Sequence, residues 1–182
     1  MKSLILPEKT KKVFELENIA SILSALMVEI VDLLKCDRSF LYVRHPDTRF
    51  GKVPFCYCSH QNIPDLTTTQ WKQESSALEK QDPMFAAALQ CQSSIFVEDV
   101  ETTAPEILNR RFERENFGHR ALIHAHLCCN GQLWGVLQPC VFGESRTWTE
   151  SEAILINAIA EKTTPLVIKY VRQNLNFKEI KQ

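Results

Sequence analysis

No apolar run in this chain reaches membrane-spanning length, and no charged-then-apolar leader with a small-residue cleavage site opens it. The expectation from both absences is a cytosolic protein with no membrane partner. Excess charge of one sign is also missing. Lysine and arginine number 21 against 22 acidic residues, a net charge of -1, which disfavours electrostatic binding of nucleic acid. There is no Gly-rich phosphate loop, no H-E-x-x-H and no G-x-S-x-G, so the commonest phosphate-binding, metalloprotease and serine-hydrolase signatures are absent. Internal repeats and low-complexity segments are lacking too. The 7 cysteines are odd in number and scattered, unlike a secreted disulfide framework, and reduced core thiols are expected.

What is present is ordinary globular composition: 182 residues, 45% of them apolar. That length allows one domain with a real core and is short for two. The segment that organises the chain is 121–152, ALIHAHLCCNGQLWGVLQPCVFGESRTWTESE. Asn130-Gly131 between two alternating runs predicts a β-hairpin, since a type I′ turn needs positive φ at both central residues. Thr149 with Glu152 three residues on is a capping box that opens a last helix reaching about Leu175. Pro165 inside that helix is expected to kink it.

Upstream, apolar residues at i, i+3, i+4 steps predict a helix from about Val13 to Leu34. Strands are expected over Ser39–Arg44 and Lys52–His60, with Pro54 marking an edge or a bulge. Ile63–Gln81 reads mostly as loop. Asp82-Pro83 is an acidic N-cap followed by proline at the first helical position, so a short helix follows. A third strand is expected over Ser94–Val97. A helix over Pro105–Phe117, with Ile107, Leu108 and Phe112 inward, is stopped by Gly118. The architecture expected is α+β: one antiparallel sheet, terminal helices on one face, and short helices and loops over a pocket on the other.

This element order resembles that of GAF domains, over roughly Ile19–Val171. The segment LWG (Leu133-Trp134-Gly135) followed by Arg146-x-Trp148-x-x-x-Glu152 is similar to the phytochrome and cyanobacteriochrome branch. Asp82-Pro83-Met84-Phe85 resembles the Asp-x-Cys-Phe motif of one cyanobacteriochrome class. The helix through Asn109-Arg110-Arg111-Phe112, leading to Phe117-Gly118-His119-Arg120-Ala121, resembles the helix that carries the bilin-linking Cys-His pair. Counting back from Ala121, the linking cysteine falls on Asn109 and its histidine neighbour on Arg110. The second cysteine falls on Met84, and the histidine after the LWG strand on Cys140. Neither an amide nor a thioether can form the bond to a bilin. The resemblance therefore implies no covalent cofactor. It leaves a non-covalent bilin or another small molecule as ligand, with Arg110, Arg111 or Arg120 as partners for propionates. Pocket candidates are Asp82, Met84, Phe85, Asn109, Arg110, Phe112, Phe117, Arg120, His124, Trp134 and Cys140.

Two alternations carry other chemistry. Cys56, Cys58 and His60 share one strand face, and so do His124, His126 and Cys128. Their residue types suit zinc, but the spacing does not match common zinc motifs. The expected function is a stand-alone sensory or regulatory domain without catalysis. It would bind a small molecule non-covalently, form a homodimer through its terminal helices and serve a signalling partner. One alternative is a protein-interaction module whose pocket is filled by Trp71, Met84 and Phe117. The other is a thiol-based redox sensor using Cys56, Cys58, Cys128, Cys129 or Cys140.

Overall fold

In the computed structural model, which describes residues 6–175, the first helix is two helices. They are α1 (Glu8–Phe14) and α2 (Ile19–Leu34). The single helix expected from Val13 is corrected by Asn18. Its backbone is extended and its side chain accepts the Ser21 N–H at 2.8 Å, which caps a new helix. α1 folds against α2, where Thr10 donates to the buried Glu29 carboxylate at 3.1 Å and Lys9 pairs with it at 2.9 Å.

Strands β1 (Arg38–Arg44) and β2 (Phe50–Cys58) follow. Leu41 pairs with Phe55 and Val43 with Lys52, so β2 holds an extra residue around Val53-Pro54. The missing proline N–H thus sits in a bulge, where it costs no ladder bond. β2 ends before His60, which lies in an exposed turn. The expected Cys56, Cys58, His60 alternation therefore does not form on the strand. Within 63–81, expected mostly as loop, lie β3 (Lys72–Gln73) and α3 (Leu78–Gln81). Both are too short to show a periodic pattern.

Next come α4 (Pro83–Leu89), β4 (Ile95–Val97) and α5 (Arg110–Asn116). α5 starts later than expected because Asn109 is extended and accepts the Phe112 N–H at 3.2 Å. The inward residues also differ. Leu108 is buried before the helix begins, Ile107 is 44% exposed, and the buried residue of α5 is Glu113. Strands β5 (Ala121–Cys129) and β6 (Gln132–Val141) form the hairpin, with Asn130 at φ 51° and Gly131 at φ 72°. The last helix, α6 (Glu150–Asn174), starts at the Thr149–Glu152 capping box and runs uninterrupted through Pro165.

All strand pairings are antiparallel, in the order β3-β2-β1-β6-β5-β4. One face carries Leu41, Val43, Ile123, Ala125, Leu127 and Leu137 against α2 and α6. The other carries Phe40, Leu122, Val136 and Cys140 toward α4, α5 and their loops. Leu127 pairs with Gly135 but Cys128 pairs with Leu133, so β6 has a bulge at Trp134-Gly135. The bulge reverses the alternation and places Trp134 with the α2/α6 core rather than beside Val136.

Gly135 fits this bulge because a Cβ there would lie 2.5 Å from the Tyr42 carbonyl oxygen of the neighbouring strand. Backbone cannot yield as a side-chain tip can. Gly135→Ala is expected to lower unfolding free energy by about 2 kcal/mol, read as a lower urea midpoint. An unchanged midpoint would contradict the close approach.

Candidate functional site

The face of the sheet opposite α2 and α6 is roofed by α4 and α5, and between roof and sheet lies a cavity of about 130 Å³. Two N-caps build the roof. Asp82 caps α4 by accepting the Phe85 N–H at 3.1 Å, which holds its carboxyl at the cavity wall. Asn109 caps α5 and donates to the Gln81 carbonyl at 2.9 Å, joining the start of α5 to the end of α3. The walls are aromatic. Phe40 and Phe117 stack with centroids 5.9 Å apart, Phe112 meets Phe117 edge-on at 6.2 Å, and Tyr42 meets Phe85 edge-on at 6.2 Å.

The polar lining consists of Asp82, Glu113, His124 and Gln138, all buried. Among the described residues no lysine or arginine lines the cavity. Burial, and after it the Glu113 carboxylate, pushes Asp82 up to about 7. Burial pushes Glu113 up to about 8, and the Arg38 guanidinium works against that rise. Glu113 lies 2.7 Å from His119 Nε2, and Arg38 approaches His119 Nδ1 at 3.4 Å. A guanidinium only donates, so Nδ1 accepts and Nε2–H donates to Glu113. Arg38 also donates to the carbonyls of Pro64 at 2.9 Å and Phe117 at 3.3 Å.

A second histidine chain is ordered in the same way. The Gln92 carbonyl only accepts, so His126 Nδ1–H donates to it at 2.7 Å. His126 Nε2 then accepts from His124 Nδ1–H at 2.9 Å, which leaves His124 Nε2 as an acceptor. Burial, with His126 second, holds His124 well below the usual histidine range. Gln138 Nε2 is buried and has no hydrogen-bond partner among the described residues. A buried donor without an acceptor is costly, so this atom marks where a guest oxygen or a water would be held.

Of the residues expected at the pocket, Asp82, Met84, Phe85, Phe112, Phe117 and His124 line the cavity together. The others lie elsewhere. Asn109 serves as the α5 cap, and Arg110 donates to the Val100 carbonyl on the outer side of the roof. Arg120 pairs with Asp99 at 2.5 Å. Trp134 packs on the far face beside His45 and Arg172. Cys140 is fully buried beside the cavity and donates to the Gln138 carbonyl at 3.5 Å. Phe40, Tyr42, Val136 and Gln138 were not singled out, although strand alternation puts them on the His124 face. Glu113 carried no signal, being one charge in a helix of charges.

Residues 18–163 match the GAF domain family. The chain belongs to the GAF family. Among curated proteins none matches it. The fold of this GAF domain is similar to that of the phycocyanobilin-bound GAF domain from a cyanobacterial phytochrome. There the TM-score is 0.70 at 19% identity, covering 96% of this chain and 100% of the other. It is also similar to a GAF domain of Synechocystis sp. PCC6803 in its photoproduct state, at TM-score 0.65 and 24% identity, with 87% and 100% covered. The GAF domain of an Acinetobacter phosphoenolpyruvate-protein phosphotransferase is similar at TM-score 0.67 and 10% identity, with 93% of each chain covered. At these identities the likeness is one of fold.

Among the described residues no three His, Cys, Asp or Glu side chains come together as a metal site. Cys56 and Cys58 lie 4.0 Å apart, sulfur to sulfur. Burial pushes the Cys56 and Cys128 thiols up to about 12, which keeps both protonated and weakly nucleophilic at neutral pH.

The raised carboxyls have a consequence for stability. The folded chain holds protons on Asp82 and Glu113 that the unfolded chain has released above about pH 4. Their contribution is therefore complete below that value and is lost as pH rises through the folded values near 7 and 8. The urea midpoint is expected to fall between about pH 5 and about pH 8.5. In Asp82→Asn, which keeps the cap, that fall should be smaller; an equal fall in the variant would contradict the assignment.

Proposed function

We propose that this GAF domain is a sensory or regulatory module that takes a small molecule, without a covalent bond, in the cavity under α4 and α5. The observation that carries the reading is the aromatic-walled cavity lined by Gln138, whose buried Nε2 has no partner among the described residues. Met84 and Asn109 stand where the resemblance places the linking cysteines. One lines the cavity as a thioether and the other is committed as a helix cap. Structural neighbours hold phycocyanobilin and biliverdin, so a bilin is the natural large candidate. A cavity of about 130 Å³ is smaller than the roughly 300 Å³ at which drug-sized pockets begin. It is close to one of about 150 Å³ known to hold benzene. A bilin therefore enters only with α4 and α5 displaced, whereas a compact ligand enters the cavity as it stands.

The module has no catalysis of its own in this reading, and its output runs through the helices on the opposite face. Leu16 and Val28 are 42% exposed and Ile154 is 45% exposed. These residues are the contact for a second copy and, through it, for a signalling partner. No helix among the described residues is long and apolar enough to cross a membrane, which accords with a domain that works in solution.

Thermal shift and native mass spectrometry with compact ring compounds, with biliverdin and with phycocyanobilin test the binding. The expected result is a stabilised one-to-one complex with the compact ligands, lost in Val136→Phe, which fills the cavity. No shift with any probe, or equal binding to that variant, overturns the reading. Gel filtration with light scattering should give twice the 20.9 kDa chain mass; a monomer at high concentration contradicts the dimer.

A further inference from the structure

The geometry points to a small organic cation, a protonated amine on a compact apolar body, as the ligand of the α4/α5 cavity. This rests on the reading of that cavity as a ligand site and names the chemical class. Two buried carboxyls, Asp82 and Glu113, line a space that holds no lysine or arginine among the described residues. The histidine order leaves His124 Nε2 as a third acceptor. Apart from the Gln138 amide, the polar lining thus accepts hydrogen bonds or, while a carboxyl keeps its proton, awaits a charge that would displace it. The rest of the wall is apolar, with the rings of Phe40, Tyr42, Phe85, Phe112 and Phe117 beside Val53, Leu78, Met84 and Val136. Ring faces attract cations, and rings around a carboxylate form the recurring cage for ammonium groups. An anion would meet two carboxyls and no counter-charge.

Gln138 is the independent sign that the space is built for a guest. Its side chain is buried at 3% exposure and lines the cavity, and its Nε2 has no partner among the described residues. A ligand oxygen placed beside the ammonium group would accept from it, so an amine bearing a hydroxyl, ether or carbonyl completes the lining. The volume of about 130 Å³ limits the body to a single ring or its equivalent.

Charge coupling gives the proposal a signature. A bound cation favours the ionised carboxyls, so binding releases protons while the empty site holds them. The groups facing the two carboxyls are few. β1 contributes Tyr42, whose hydroxyl is committed to Glu74, and Arg38, which does not line the cavity and whose two terminal nitrogens donate to the Pro64 and Phe117 carbonyls and to His119 while its Nε has no partner among the described residues. His119 donates to Glu113, β5 contributes neutral His124, and Lys80 of α3 faces the outer side of the roof. None of these places a free cation in the cavity.

The test is calorimetric titration with three isosteric probes: cyclohexylamine, cyclohexanol and cyclohexanecarboxylate. The amine is expected to bind at least about tenfold more tightly than the alcohol, from the ring faces and the charge-assisted hydrogen bond together. The carboxylate should bind weakest. Amine affinity should rise with pH through neutrality, with protons released into the buffer. In Asp82→Asn, which keeps the α4 cap, and in Glu113→Gln, which still accepts from His119, the preference should shrink toward parity. Alcohol binding at least as tight as amine binding overturns the cation while leaving the cavity as a ligand site. A preference unchanged in both variants overturns it as well. Failure of all three probes to bind overturns both this inference and the ligand-site reading on which it rests.

Discussion

Desolvation of two carboxyls is the constraint from which the character of this site follows. Neither can be removed without a structural cost. Asp82 is the cap that starts α4, accepting an N–H the helix cannot satisfy internally. Glu113 accepts from His119, whose other nitrogen faces Arg38 at the start of β1. The fold therefore places acid at the cavity as a by-product of capping one helix and anchoring another. With no lysine or arginine in the lining among the described residues, the acids stay near neutral by holding protons. A group that exists for structural reasons thereby becomes a recognition element.

The sheet explains why this happens on one face only. Its α2/α6 side is closed by two long helices and packs as a continuous apolar core. The opposite side is closed by helices of 7 residues each, α4 and α5. Helices so short leave a large share of their backbone groups at the ends, and their caps must come from nearby side chains and carbonyls. Asn109 shows the economy of this arrangement, capping α5 and donating to Gln81 at once. Such a roof covers the sheet without filling the space beneath it.

Much of this was legible in the sequence. The hairpin at Asn130-Gly131, the capping box at Thr149, the Asp82-Pro83 helix start and the single antiparallel sheet all follow from local rules. Met84, Phe85, Phe117 and His124 could be placed at one cavity from the same rules together with the resemblance to GAF domains. Trp134 could not. Its alternation with Cys140 puts it on the cavity side until a bulge in the β5/β6 pairing reverses the register, and no local signal marks that bulge. Glu113 was hidden for another reason. In a helix of mixed charge, which carboxylate turns inward depends on where the helix begins, and that was decided by Asn109 as a cap rather than by the apolar spacing. Asn18 misled in the same way, since an apolar stripe continues across the break it makes.

The central claim is that the two carboxyls are buried at the cavity wall and keep their protons at neutral pH. Carbon-13 NMR of the side-chain carboxyls of Asp82 and Glu113, followed in the ligand-free protein from about pH 4 to about pH 9, tests it most directly. The account predicts titration midpoints of about 7 for Asp82 and about 8 for Glu113. Midpoints near the ordinary carboxyl value of about 4 would mean that water or a counter-charge already reaches the site, and would contradict it.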